Sequence, residues 1–514
     1  MSAPFNPQKV AHLSIADLID RHAAERPGDV FIIDPQEQRT LTWGDLKDSC
    51  QTLRDRLSAD GHRPGDRVAY AMHNGADAAR VILGILYGGQ VATAVNLVSG
   101  KATIAHVLGH SGAGLVFCQP HTRPLLEEAR AEKPDLSPNM IDVDETLFHG
   151  HLDPPPDHIA APSEDGLLMY TSGTTGVPKG VVLTQANLIA GGCNTAVAHR
   201  LTARDRGLCV LPLYHINAFC VSLMGALVTG GALILPHRFS VSQFWDQLRN
   251  HGGTWFSVVP TQISYLLHEA QTAGHDTRGL EALRFGRSAS APLSPDVQQA
   301  FESRFNVPII ETMGLTETAA QILSNPMEGP RKIGSPGIAW GNEVMIGDEH
   351  QQECARGTEG EVLVRGPNVM RGYRNNAKAT EVALTKQGWL RTGDLGRMDE
   401  DGYVFITGRL KELIIKGGEN IAPREVDEAL LAHPDVIEAA AFARSCARYG
   451  QTVEAGVKLR SGSKVSSNDL RSFCRTALGD FKCPDTIHLL PDLPKGPSGK
   501  IQRLKLAELA LENS

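Results

Sequence analysis

Apolar positions along the first half of the chain alternate between two patterns. After Thr42-Trp43-Gly44, the residues Leu46, Leu53 and Leu57 recur at near-helical spacing, which puts them on one helix face. Pro64-Gly65-Asp66 then marks a turn, and Val68 to Met72 is an unbroken apolar run of the kind that forms a strand covered on both faces. Ala76 to Leu86 reads as helix and Val91 to Val95 as the next short strand. Asp153 to Pro162, with three consecutive prolines, reads as a surface linker. Beyond it the alternation resumes, with strands expected at Leu208–Leu211, Leu233–Leu235, Trp255–Val259 and Val307–Ile310. Helices alternating with short apolar strands predict parallel βαβ units and an α/β fold.

The texture changes after about Gly334. Short strands such as Glu361–Arg365 and Tyr403–Ile406 are separated by Gly- and Asp-rich turns, which predicts a small β-barrel or sheet. From Lys411 onward a compact α+β segment follows and ends in a basic stretch. The longest uncharged run, Ala218 to Leu235, approaches the length of a membrane span, but Gly230-Gly231 divides it into a helical half and a strand-like half. A buried helix, turn and strand is the expectation, with no membrane span.

Composition narrows the function classes. The 514 residues carry 50 Lys and Arg against 58 Asp and Glu, a net charge of −8, which argues against a nucleic-acid partner. The length suggests roughly three domains or subdomains, each with its own core. Nine scattered cysteines, an odd number with no Cys-x-x-Cys pair, fit reduced thiols in a cytoplasm better than disulfides or a zinc site. The N-terminus lacks a secretory pattern, and Leu511 to Ser514 is no peroxisomal address. His106 and His110 stand four apart without the glutamate of a metalloprotease motif, and His149, His151 and His158 lack a fourth ligand.

The strongest local signal is Tyr170-Thr171-Ser172-Gly173-Thr174-Thr175-Gly176-Val177-Pro178-Lys179-Gly180. A strand, Gly166 to Tyr170, leads into hydroxyls and glycines, and a helix, Gln185 to Ala190, follows. Glycines let backbone N–H groups approach an anion, hydroxyls donate to phosphate oxygens, and Lys179 adds charge. The spacing is not that of the P-loop, because Gly180 follows the lysine. The loop is therefore expected to bind phosphate.

This stretch resembles the phosphate loop of the adenylate-forming superfamily, which includes acyl-CoA synthetases, peptide-synthetase adenylation domains and firefly luciferase. Further motifs follow in the family order: Leu211 to His215, Met313 to Glu317, Arg391 to Asp394, Gly408 to Leu413, Gly417 to Ile421 and Pro494 to Lys500. The resemblance spans nearly the whole chain. It implies a large N-terminal domain, 1–410, of two α/β sheets plus a small β-barrel, and a small mobile α+β cap, 411–514. It also implies ATP, Mg²⁺ and coenzyme A as cofactors.

The resemblance assigns roles residue by residue. Thr171, Ser172, Gly173, Thr174, Thr175 and Lys179 would hold phosphates. Thr316 and Glu317 would contact the AMP phosphate and Mg²⁺, with Thr171 also near the metal; taken alone, the pair reads as a capping hydroxyl and a first-turn carboxylate. Ser290, Ala291 and Pro292 would cover one adenine face and Met313, where the family has an aromatic ring, the other, with Thr312 also among the nucleotide-binding residues. Glu311 could accept from the exocyclic amine. Asp394, placed at a turn after Trp389-Leu390, would accept both ribose hydroxyls, and Arg409 would reach the ribose and phosphate. Lys411 would be the hinge about which the cap turns between two half-reactions. Lys500 would be the catalytic lysine before that motion; afterwards Gly417 and Gly418 would face the site. Pro494 to Lys500 also fits a motif read by protein lysine acetyltransferases, which makes Lys500 a modification candidate.

The implied reaction joins a carboxylate to AMP and passes the acyl group to CoA, releasing AMP and diphosphate. The acyl wall, by resemblance, includes the catalytic-site His215 with Asn217, Ser257, Thr261, Arg287, Ser288 and Gln321, a polar set that suits a small acid better than a fatty chain. Arg287 to Ser290 and Gly366 to Val369, with Tyr373, look most like the short-chain subset around oxalyl-CoA synthetase. Oxalate, malonate or sulfoacetate leads; a small aromatic acid and a non-CoA acceptor are the alternatives. An amino-acid adenylation domain would need an Asp within Tyr214 to Asn217, where there is none. A luciferase-like oxygenase shares the fold, and a non-enzymatic nucleotide binder would have no need of Glu317 and Lys500. Monomer and homodimer are both open.

Overall fold

The apolar runs become the centres of two sheets. The computed structural model describes residues 5–136, 138–150, 160–171, 177–273, 277–495 and 501–512. One sheet has five parallel strands in the order Asp165–Thr171, Val91–Ala94, Arg67–Ala71, Leu115–Cys118 and Asn139–Asp142. Lys179–Thr184 pairs antiparallel with the first of these, and Gly372–Tyr373 adds a short edge. The second sheet has six parallel strands: Ile309–Leu315, Phe285–Ser288, Trp255–Val258, Arg206–Cys209, Ala232–Ile234 and Val30–Asp34. Antiparallel strands border it on both sides.

Helix starts are written in the sequence. Thr42 caps Trp43–Ala59 and Thr184 caps Gln185–Ala198, each through a reciprocal capping box. The second helix runs well past the expected Ala190, because its glycines allow close contact: a Cβ on Gly191 or Gly192 would press on the carbonyls of Ala319 or Met224. The divided apolar run behaves as expected. Asn217–Met224 is a π-helix that continues as the α-helix Gly225–Thr229, Gly230 ends it in the left-handed conformation, and Ala232–Ile234 is strand. Among the described residues no helix is long and apolar enough to cross a membrane.

Two strand expectations need correction. The strand read as Val307–Ile310 is Ile309–Leu315. Pro308 has no N–H to pair, and the antiparallel neighbour Ala320–Ser324 carries the ladder on past Ile310. Asp394 is not at a turn. It lies inside the strand Leu390–Met398, directly across from Arg409 on Val404–Arg409.

These two strands, with Glu343–Gly347 and Gly360–Arg365, make the small antiparallel β unit. The C-terminal segment forms a separate sheet around the long hairpin of Val436–Cys446 and Gly450–Leu459, with its own apolar core of Val426, Leu430, Val453, Val457 and Leu470. Lys411 sits in the turn between Val404–Arg409 and the first C-terminal strand, Ile414–Lys416. The linker expected at Asp153 to Pro162 falls outside the described residues as far as position 159.

Candidate active site

A pocket opens where the parallel strands Phe285–Ser288 and Ile309–Leu315 end, the place at which open α/β sheets bind ligands. Its walls bring together Ser290, Ala291, Pro292, Glu311, Thr312, Met313, Asp394 and Arg409 from four separate stretches of sequence, and it encloses about 800 Å³ with its open mouth included. Ser290 takes a left-handed φ of 73°, which bends the chain over the pocket, and Asn217 donates to its hydroxyl. At Gly314 the ladder shifts register, and a Cβ there would lie 1.8 Å from the Ala320 carbonyl oxygen. Only glycine fits that crossing, which turns the strand toward Thr316 and Glu317.

Glu311 is buried at the back of this pocket. The Leu293 N–H donates to one carboxyl oxygen at 3.1 Å, while the other has no partner among the described residues. Burial pushes its pKa from 4.5 up to about 7, with Arg424 pulling the other way. An orphaned buried acceptor facing a pocket is what an exocyclic amine would satisfy. The shift also links to stability. An acid whose native pKa is raised holds its proton between about pH 4.5 and 7 while the unfolded chain has released it, so stability is lost across that window. Glu311→Gln, which cannot ionise, should therefore gain stability over the wild type as pH rises, by at most about 3 kcal/mol above pH 7. Thermal unfolding of both proteins at pH 5 and pH 8 checks this: an unchanged gap would show that Glu311 stays ionised.

Beyond Gly314, Tyr373 donates to Glu317 Oε1 at 2.8 Å, and Met370 N–H donates to the Glu317 carbonyl at 2.8 Å. The side chain and backbone of Glu317 are thus both braced by the segment after Gly366. Burial and the Glu317 charge raise the Tyr373 pKa, so its hydroxyl stays a donor. Lys179 Nζ lies 5.0 Å from the Tyr373 ring centroid, and Thr171 is the ladder partner of Lys179. Ser172, Gly173, Thr174 and Thr175 lie outside the described residues. Thr316 and Glu317 open a short 3-10 turn. No cluster of three or more ligating side chains occurs among the described residues. A single carboxylate is a fitting donor for Mg²⁺, which keeps waters and takes phosphate oxygens as its other ligands.

Arg409 Nε donates to Asp394 Oδ1 at 2.6 Å and its Nη2 to Oδ2 at 3.4 Å. Burial lowers the Arg409 pKa and Asp394 more than restores it, so the net direction is up. A carboxylate has four acceptor sites, so Asp394 can keep this pair and still receive hydroxyls. Gly417 and Gly418 do not line the pocket. They form a two-residue hairpin loop between Ile414–Lys416 and Glu419–Ile421, with φ of 60° and 89°. Positive φ at both positions is a local reason for two glycines. Lys500 is outside the described residues; Arg503, three positions on in the sequence, lines the pocket.

The residues expected to form the acyl wall have their own centre. Arg287 is buried at 1% exposure, and its Nη1 donates to Asn217 Oδ1 at 2.7 Å and to Ser257 Oγ at 3.3 Å, its Nε to Gln321 Oε1 at 3.3 Å. Every partner is neutral. Burial alone pulls its pKa down to about 9, so it remains a cation at neutral pH. His199 Nε2 also meets Gln321 Oε1, at 3.0 Å, and burial, reinforced by Arg287, holds His199 neutral with a pKa of about 3. Half-buried His215 precedes the π-helix, lies edge-on to Tyr214 and is not among the residues that line the pocket. His106 and His110 have structural partners, the Pro178 carbonyl and the Tyr170 hydroxyl.

Sequence reasoning missed Arg424, Glu412 and Arg503 as pocket residues. Arg503 was visible only as part of a basic tail. Its guanidinium reaches Glu412, Asp427 and the Ala441 carbonyl, a set of contacts that no local pattern announces.

The AMP-binding enzyme family model matches residues 19–374, and the AMP-binding enzyme C-terminal domain model matches 425–500. The chain belongs to the AMP-binding enzyme family. It is an ATP-dependent acid–CoA ligase of the AMP-forming type, and its substrates and cofactors are accordingly a carboxylic acid, ATP, Mg²⁺ and coenzyme A. A sulfoacetate–CoA ligase of Cupriavidus necator is 44% identical over 96% of this chain and 97% of its own length. An oxalate–CoA ligase of Arabidopsis thaliana is 35% identical over 92% and 94%. Among solved structures, ATP-bound MatB from Rhodopseudomonas palustris superposes with a TM-score of 0.88 at 27% identity, over 97% of this chain and 99% of that one. The Bacillus subtilis o-succinylbenzoate CoA synthetase in complex with ATP and magnesium ion gives 0.84 at 30% identity, over 95% and 98%.

Proposed function

We propose that this ligase activates a small acid bearing a second fixed negative charge, with sulfoacetate first and oxalate or malonate next. The observation that carries the reading is Arg287. Among the described residues the buried guanidinium is held by neutral amides and a hydroxyl, with no anion to balance it, and leaving a charge buried without one is expensive. A sulfonate or carboxylate at the far end of a short acid would supply that anion. The 44% identical sulfoacetate–CoA ligase supports the same choice.

The first half-reaction forms a bond from the acid's carboxylate oxygen to the α-phosphorus of ATP, and the bond to diphosphate breaks. Glu311 would take the adenine amine and Asp394 the ribose hydroxyls, while Arg409 steadies Asp394. Glu317, oriented by Tyr373, and Thr316 would hold Mg²⁺ and phosphate oxygens; the metal neutralises phosphate charge. Lys500 would place a cation between carboxylate and α-phosphate as charge shifts between them. In the second half-reaction the thiol of CoA attacks the acyl carbonyl, and the bond to AMP breaks. We place the domain border at 410/411 with Lys411 as hinge, and the second step after a turn that brings Gly417 and Gly418 to the site. The nine free cysteines suit a cytoplasmic enzyme.

A panel of acids with ATP, Mg²⁺ and CoA, read by AMP release, tests the reading. The highest kcat/KM is expected on sulfoacetate or another two- or three-carbon dianion. Highest activity on long-chain fatty acids or on benzoate would overturn it. Acetylation at Lys500 by a protein lysine acetyltransferase would neutralise the catalytic charge; intact mass after incubation with acetyl donor and acetyltransferase reports it, and an unmodified Lys500 rejects it.

A further inference from the structure

The helix Pro260–Ala273 packs by Ile263 and Leu266 against Phe256 and Val258, in the core of the nine-stranded sheet. From its outer side Tyr265 reaches across to the C-terminal sheet. Its hydroxyl donates to Glu438 Oε1 at 2.7 Å. Lys495 Nζ donates to the same Glu438 oxygen at 2.7 Å and to the Tyr265 hydroxyl at 2.9 Å. The three groups close a triangle across two otherwise separate cores. Glu438 is 2% exposed, and its second oxygen has no hydrogen-bond partner among the described residues, so its side-chain hydrogen bonds there all lie within the triangle. Burial would lower the Lys495 pKa, but Glu438 and Tyr265 outweigh it and raise it, so the ammonium is permanent. Lys458 adds a second cation, 5.5 Å from the Tyr265 ring centroid.

The position of Lys495 in the chain gives the triangle its meaning. Lys495 and Ile501 pair antiparallel across the segment 496–500, and Gln502 N–H donates to the Pro494 carbonyl at 2.8 Å. The chain therefore leaves and re-enters at one place, and Lys500 belongs to the stretch between. Arg503 anchors the returning side, while the outgoing side is anchored through Lys495 to Tyr265.

We propose that Tyr265, acting through Glu438 and Lys495, is a positioning residue for the first half-reaction, fixing the base of the segment that delivers Lys500. This rests on the assignment of Lys500 to adenylation. Tyr265 is not among the residues that line the pocket proposed for the nucleotide. Its loss should therefore alter the rate of one half-reaction and leave ATP binding alone.

The test compares Tyr265→Phe, Glu438→Gln, their double variant and Lys500→Ala in the two half-reactions separately. Acid-dependent ATP–diphosphate exchange reads the first, and thioester formation from prepared acyl-adenylate and CoA reads the second. Removing a hydrogen bond to a charged group should lower the exchange kcat by about tenfold or more, with KM for ATP unchanged. The second half-reaction should stay within about twofold of wild type, since the triangle belongs to the other domain orientation. The double variant should be no worse than the poorer single variant, because both break one unit. Tyr265→Phe keeps the ring and so the packing; should Glu438→Gln fail to fold, Lys495→Met replaces it. Equal losses in both half-reactions, additive losses, or unchanged exchange in Tyr265→Phe would overturn the proposal. If Lys500→Ala kept full exchange, the assignment of Lys500 would fall instead.

Discussion

Lys500→Ala should lose acid-dependent ATP–diphosphate exchange by about 10²- to 10³-fold, the usual loss when a preorganised donor to developing charge is removed. Nucleotide binding should persist, because the pocket proposed for the adenosine is lined by Ser290 to Pro292, Glu311 to Leu315, Asp394 and Arg409. Thioester formation from prepared acyl-adenylate should also persist, since the thiol needs no lysine to attack an activated carbonyl. The contrast between half-reactions is the discriminating feature. A variant that merely loosened the C-terminal sheet would lose both steps together. Exchange at the wild-type rate would remove the lysine from the chemistry.

Arg287→Met should be the second large effect, and it should divide by substrate. On a small dianionic acid the loss of kcat/KM should be about 10²-fold or more, the range seen when one partner of a buried charge pair is deleted. On a neutral-tailed acid of the same length, such as propionate, activity should hold or rise, because Met fills similar volume without charge. Stability should not fall greatly. The guanidinium has no carboxylate partner among the described residues, and its removal ends a desolvation penalty. A uniform loss on every acid, with a lowered unfolding midpoint, would mean that Arg287 serves the fold alone. His199 and Gln321 bear on the same test, because the shared Gln321 oxygen orients the guanidinium.

The sequence determined most about this protein where the physics is local. Alternating apolar runs specified parallel strands, because a strand covered on both faces must be apolar throughout. Hydroxyl caps at Thr42 and Thr184 started helices where they stand, and Gly230 ended one inside the uncharged run. The motif from Met313 to Glu317 and that from Arg391 to Asp394 identified nucleotide chemistry. Tertiary structure alone decided the relations between distant segments. Asp394 faces Arg409 through ladder register, which places it in a strand where the local Thr-Gly-Asp pattern suggested a turn. Gly314 is required by a carbonyl six residues further on, and Glu311 gains its raised pKa from neighbours that close over it. Arg287 looked like one polar residue among seven until its partners proved all neutral. The triangle of Tyr265, Glu438 and Lys495 joins three elements with no shared motif. The reason is physical: propensity and capping depend on the nearest few residues, whereas desolvation, register and charge balance depend on whatever the fold brings alongside.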